Sequence, residues 1–171
     1  LPDAPFFEKV WREIHINFGT TLAPFHSFLT MIGLDTLALR MQRHNSNAQK
    51  LAEYLASHKK VRWVNYPGLP TSPFHEFAKR QFEGKGYGAL LTFGLSDQQQ
   101  CFNFIANVKL AYHLANLGDC KTLIIHPYSS QYVSFTEQKR KELSIHPDMI
   151  RVSVGIEHPD DIIADFEQAL R

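Results

Sequence analysis

Two short segments of strict alternation constrain this chain more than any other feature. In residues 87–95, Tyr87, Ala89, Leu91, Phe93 and Leu95 fall on one face of an extended strand, opposite glycines and Thr92. In residues 150–156, Ile150, Val152, Val154 and Ile156 interleave with Arg151, Ser153 and Gly155. A period of two predicts strands with one apolar face, and that face must be covered. Around them the period changes to that of a helix. Residues 24–58 carry Leu37, Met41, Ala48, Leu51, Ala52 and Leu55 at three- and four-residue steps, with Arg40, Arg43, Asn47 and Lys50 on the other side. That stretch exceeds one ordinary helix, which predicts a bend or break at Gly33 or in His44-Asn45-Ser46-Asn47.

The remaining elements follow from local signals. Residues 61–66 are short, aromatic and β-branched and read as a strand stopped by Pro67-Gly68. Residues 73–82 predict a short helix entered at Pro73, with Phe74, Phe77 and Ala78 on one face. Ser96-Asp97 starts a helix with Cys101, Phe102, Phe104, Ile105 and Val108 as its stripe. Residues 122–125 read as a strand ended by His126-Pro127. Pro159 opens a last helix with Asp160 and Asp161 in its first turn and Ile162, Ile163, Phe166, Ala169 and Leu170 as its buried stripe. Helices and strands mix without strict alternation. The expected class is α+β, a small and mostly antiparallel sheet covered by helices on one side.

Composition narrows the function classes. The 171 residues, 44% of them hydrophobic, suffice for a sizeable core but leave two full domains cramped. A net charge of +1 offers no basic excess for nucleic acid. No apolar run approaches the roughly 20 residues of a membrane span. Cys101 and Cys120 are too few for a disulfide scaffold and read most simply as buried thiols of a reducing, cytoplasmic compartment, with a single bridge as the alternative. The opening Leu1-Pro2-Asp3-Ala4-Pro5-Phe6-Phe7 has no initiating Met and is apolar, which reads as part of a longer protein.

Candidate chemistry is sparse. Gly84-Lys85-Gly86-Tyr87-Gly88 precedes a strand, whereas a dinucleotide loop follows one, so it reads as a flexible connection. No histidine pair has metal-ligand spacing, and no serine sits in a G-x-S-x-G elbow. The acids Glu157, Asp160 and Asp161 read as helix capping. Arg151 lies opposite the apolar face of its strand, and the small residues Ser153 and Gly155 share its side. A charged planar fork above a small-residue floor suits a carboxylate or phosphate. The commoner role for such an arginine is an ion pair with a local acid, here Asp148 or Glu157. Asn116, next to Gly118, offers both donor and acceptor capacity, or simply turns the chain before the strand at Thr122.

Several blocks resemble one family. The segments 115–127 (ANLGDCKTLIIHP), 150–157 (IRVSVGIE) and 160–165 (DDIIAD) are similar to the C-terminal part of the pyridoxal-phosphate enzymes of cysteine and methionine metabolism. So are the upstream segments 24–29 (PFHSFL), 33–37 (GLDTL) and 64–69 (VNYPGL). The likeness runs from about residue 19 onward, and residues 1–13 share least of it. Asn116-Leu117-Gly118-Asp119 resembles the O-acetylhomoserine sulfhydrylase branch more than the cystathionine lyases and synthases, which favour Ser-Leu-Gly-Gly.

The resemblance implies the C-terminal small domain of a type I, aspartate aminotransferase-like fold. Residues 1–58 would connect it from the large domain, and residues 59–171 would form it. It implies pyridoxal phosphate bound to a lysine upstream of this sequence, a cytoplasmic homotetramer, and replacement of the acetate of O-acetylhomoserine by sulfide to give homocysteine. Arg151 matches the arginine that holds the substrate α-carboxylate, and Asn116 the small polar residue beside it. Lys121 matches no cofactor lysine, so this chain alone would contribute a substrate clamp without turnover. The segment 128–132 (YSSQY) departs from the more usual Thr-Thr-His pattern, which leaves substrate or thiol preference open. A methionine or cystathionine γ-lyase, a cystathionine γ-synthase, or a non-catalytic self-associating fragment are the alternative readings.

Overall fold

The structure, a computed structural model, describes residues 4–171; Leu1, Pro2 and Asp3 of the apolar opening lie outside the described residues. The chain divides into two compact units, meeting between Ala38 and Leu39. In the first unit, helix α1 (Ala4–Lys9) continues through a π-helical stretch, Val10–His15, into the single turn α2 (Ile16–Phe18). Helix α3 (Pro24–Asp35) follows, with Pro24 at its first turn, where its missing N–H costs nothing. Its apolar side chains Phe25, Phe28, Met31 and Leu34 are exposed, as are Phe6, Trp11 and Phe18 before it.

Helix α4 (Leu37–Ser57) begins after a one-residue interruption at Thr36, which leaves helical dihedrals at φ −104° and ψ 2°. The break therefore falls at neither expected position. Gly33 stays within α3, and the 44–47 patch stays helical because its polar groups have partners across the fold. His44 Nδ1 donates to Val154 O at 2.6 Å, and Asn47 Nδ2 donates to Gly155 O and Glu157 O at 3.0 and 2.8 Å.

The second unit holds a five-stranded sheet of order β1-β2-β5-β4-β3. The strands are β1 (Trp63–Asn65), β2 (Leu90–Gly94), β3 (Tyr112–His113), β4 (Leu123–Ile125) and β5 (Met149–Ser153). All pairs are antiparallel except β3 with β4, an edge strand that the sequence pattern did not show. Helices α5 (His75–Phe82), α6 (Gln98–Asn107), α7 (Glu137–Glu142) and α8 (Pro159–Leu170) complete it. The sheet is thus small and mostly antiparallel, as the residue pattern predicts.

One face of the sheet makes the core. Leu91, Phe93, Ile150, Val152 and Ile124 pack with Leu51 and Leu55 of α4, Phe104 of α6, and Ile162 and Phe166 of α8. Phe104 meets Phe93 edge-on at 5.5 Å and Phe166 at 5.1 Å, the arrangement ring quadrupoles favour. Asp97 caps α6 by accepting from Gln100 N at 2.9 Å.

Three local expectations are corrected. The shared face of Phe74, Phe77 and Ala78 is not a buried stripe: Phe74 and Phe77 are exposed and of the three only Ala78 is buried. Cys120 is exposed, whereas Cys101 is buried and its thiol pKa is pushed up to about 12 by desolvation; neither is in a disulfide. Glu157 does not cap α8; it reaches back to accept from Thr122 N at 2.7 Å and Thr122 Oγ1 at 2.9 Å.

Candidate functional site

The face of the sheet turned away from the core carries Arg151, because β5 has a period of two and Ile150 and Val152 occupy the core side. Antiparallel registers set its neighbours. Thr92 and Ile125 lie opposite Arg151, and Leu90 and Leu123 lie opposite Ser153. Two connections cover part of this face. The segment between β3 and β4 is tied down where Gly118 N donates to Ser153 Oγ at 3.2 Å. Gly118 sits at φ +77°, a left-handed conformation that glycine adopts without strain. The segment after β4 is anchored through buried His126, whose ring meets Ser129 Oγ at 2.7 Å and Pro147 O at 2.8 Å.

Between these two connections stands the guanidinium of Arg151. Nη1 donates to Gln131 Oε1 at 2.9 Å, and Nη2 makes a long hydrogen bond of 3.4 Å to Asn116 O. Both acceptors are neutral. The two acids that sequence offered as ion-pair partners are engaged elsewhere: Asp148 accepts from Trp63 Nε1 at 3.1 Å, and Glu157 holds Thr122. Among the described residues Arg151 has no ion pair, and it is partly exposed. Arg151 has five N–H donors, of which two are used here, so a bidentate pair is left for an incoming anion. Across the strand pair, Thr92 is the register partner of Arg151, and its Oγ1 is buried without a hydrogen-bond partner among the described residues.

The structure brings Arg151 and Asn116 together, but through the backbone. The exposed Asn116 side chain turns back on its own backbone, where its Oδ1 accepts from Leu117 N at 2.9 Å. Gln131 and Thr92 join Arg151 on this face without a sequence signal that marks them as site residues. Thr92 was visible as a polar residue on the non-apolar side of residues 87–95, and Gln131 stood in the segment that departs from the family pattern. Gly155 is required next to the site, since a Cβ there would sit 2.5 Å from Cys120 O and 2.3 Å from Glu157 Oε2. A hollow of about 320 Å³ lined by Trp63, Asn65, His146 and Met149 borders the same face, whereas one of about 570 Å³ lies among Lys59, Lys60, Arg62 and Asn103, away from Arg151.

Among the described residues, the lysines lack the features of a covalent cofactor seat in this structure. Such a lysine is sheltered so that its amine loses its proton readily, and every lysine here is exposed. The Lys121 pKa is shifted the wrong way, upward, by its hydrogen bond to the Tyr112 phenol. Groups of three or more His, Cys, Asp or Glu able to hold a metal are absent among the described residues.

A sequence profile of the Cys/Met metabolism PLP-dependent enzymes matches residues 5–171, which extends the likeness through the N-terminal helices. The homocysteine/cysteine synthase of Kluyveromyces lactis is 45% identical over 96% of this chain and 39% of its own length. The homocysteine synthase of Schizosaccharomyces pombe is 48% identical over 90% of this chain and 36% of its own. O-acetyl-L-homoserine sulfhydrylase 1 of Thermus thermophilus is 42% identical over 89% and 36%. A putative O-acetylhomoserine (thiol)-lyase of Campylobacter jejuni, solved with a pyridoxyl-lysine phosphate, superposes at a TM-score of 0.89 with 36% identity, covering 99% of this chain and 40% of that one. The chain thus spans about two fifths of the relatives it matches. With one profile running through both units and relatives this similar across nearly all its residues, the chain belongs to the family of Cys/Met metabolism PLP-dependent enzymes.

Proposed function

We propose that this chain is the substrate-carboxylate-binding part of an O-acetylhomoserine sulfhydrylase, which replaces acetate by sulfide to give homocysteine. The observation that carries the reading is Arg151, a partly exposed guanidinium held by two neutral acceptors and by no carboxylate. It supports a clamp in which two parallel N–H bonds grip an α-carboxylate in plane. Asn116 serves there through its carbonyl, which helps to orient the fork. Gripping the carboxylate fixes the rest of the amino acid relative to the reacting groups, and so converts an encounter into a positioned reaction. Pyridoxal phosphate, the cofactor of this family, acts in such reactions as an electron sink. In this reading residues 59–171 belong to the C-terminal small domain, with α4 packed into its core, and the helices before α4 connect it to a large domain. The working protein is a cytoplasmic homotetramer, and its partners are O-acetylhomoserine and sulfide. No helix among the described residues is long and apolar enough to cross a membrane.

The test uses the protein as encoded, including whatever precedes residue 1, supplied with O-acetyl-L-homoserine and sulfide. Homocysteine and acetate are the expected products. Arg151→Ala is expected to lower kcat/KM by at least about 100-fold, the scale for removing one partner of a charged hydrogen-bonded pair, while cofactor absorbance is retained. Equal loss of cofactor and substrate use, or loss of neither, removes the clamp. Product from methionine or cystathionine in place of O-acetylhomoserine reassigns the protein to a lyase.

A further inference from the structure

Arg151 is held on the open side of the sheet by a residue that no strand or helix of the core dictates. Gln131 lies in the connection after β4 and is exposed, yet its side chain is the shorter of the two contacts made by the guanidinium, at 2.9 Å. Because Nη1 can only donate, the atom facing it must be Oε1, and the Nε2 amide is turned away from Nη1. The acceptor is neutral, so the arginine is oriented while its charge is left uncompensated. A glutamate of the same reach would orient it equally well and also neutralise it.

We propose, on the basis of the carboxylate-clamp reading above, that Gln131 is the positioning and selectivity residue of this site: it presets the Arg151 fork for one carboxylate of an amino-acid substrate without competing for it. The neutral amide keeps the site selective for a ligand that brings its own negative charge. The role follows from charge, not from bulk, and this separates it from a structural one.

The experiment compares Gln131→Glu and Gln131→Met in the protein as encoded, with O-acetyl-L-homoserine as the varied substrate and Arg151→Ala as reference. Gln131→Glu installs a carboxylate on Nη1 that the substrate must displace, so KM should rise about 10- to 100-fold with kcat within about twofold. Gln131→Met removes the acceptor without adding charge, and KM should rise by no more than about fivefold. In the Arg151→Ala background the added effect of Gln131→Glu should vanish, because the two side chains act as a pair. Equal effects of Glu and Met, an effect confined to kcat, or an unchanged KM in Gln131→Glu overturns the inference. If Arg151→Ala raises KM and Gln131→Glu does not, only the role of Gln131 falls. If Arg151→Ala leaves kcat/KM unchanged, the clamp falls and takes this inference with it.

Discussion

The carbonyl oxygen of Pro147 can only accept, so the His126 Nε2 that faces it at 2.8 Å must carry a proton. The other ring nitrogen accepts from the Ser129 hydroxyl at 2.7 Å and from Ser129 N–H at 3.3 Å, so the neutral imidazole is satisfied; protonation turns Nδ1 into a donor and removes the acceptor that Ser129 N–H uses. Burial holds the pKa of this histidine below its usual 6.5. As pH falls, the unfolded chain therefore binds the proton first. The stability contributed by His126 is complete above about pH 6.5 and is lost as pH drops toward the folded value. Between pH 7 and 5 the melting midpoint should fall, with this residue supplying at most about 1.4 kcal/mol per pH unit. A His126→Asn variant should show a shallower slope over the same window, and parallel slopes in thermal melts would refute the assignment. Sequence marked His126 only as a residue before proline; its burial depends on a contact 21 residues away. Arg151 was legible because a strand's period alone decides which side it takes. Gln131 was not, since its contact with Arg151 spans 20 residues and a connection without periodicity. Asp165 was missed for the opposite reason. It sits among the buried positions of α8, where it accepts from the N–H groups of Lys109, Leu110 and Ala111.

Elements were legible in proportion to how much of each is packed against the core. Helix α8 follows its expected limits because Pro159, two acids and an apolar stripe all agree. Its stripe converges on Phe166, which is fully buried and touches both Phe93 of β2 and Phe104 of α6. Phe166→Ala leaves a cavity where a helix and a strand meet, and should cost about 3–5 kcal/mol, read from urea unfolding. A loss below about 1 kcal/mol would mean that the ring is not where the three elements join. Helix α4 was legible in its apolar stripe and misread in its polar patch. Periodicity sees His44 and Asn47 as interruptions, whereas the fold uses them to bind the backbone that leaves β5 beyond Arg151. Short strands were legible only where neighbours extend them. Residues 87–89 fall outside β2 because Gly88 is held by Asn45 Oδ1 and by the Tyr66 hydroxyl instead of a strand ladder. Strand β3 has two exposed residues and no alternation to read.

At the scale of the whole molecule, burial is unevenly distributed between the two units. Among the described residues every buried core residue lies in the unit from Leu39 to Arg171, while the first unit exposes Phe6, Trp11, Phe18, Phe25 and Phe28. Apolar area stabilises a fold only when it is removed from water, so those exposed rings contribute little to holding either unit together. The sheet, α4 from its buried His44 onward, α6 and α8 form a closed set of contacts around one cluster. A chain of residues 39–171 should therefore keep a single cooperative unfolding transition. Starting at Leu39 removes only the first two residues of α4, a helix end that frays in any case. Its melting midpoint should lie within about 5 °C of the 171-residue chain, a shift that corresponds to about 1–2 kcal/mol at this size. Circular dichroism melts of the two chains make the comparison. A broad, non-cooperative transition in the shorter chain would mean that residues 4–38 are needed to complete the core, and that the sheet carrying Arg151 does not stand on the packing described here.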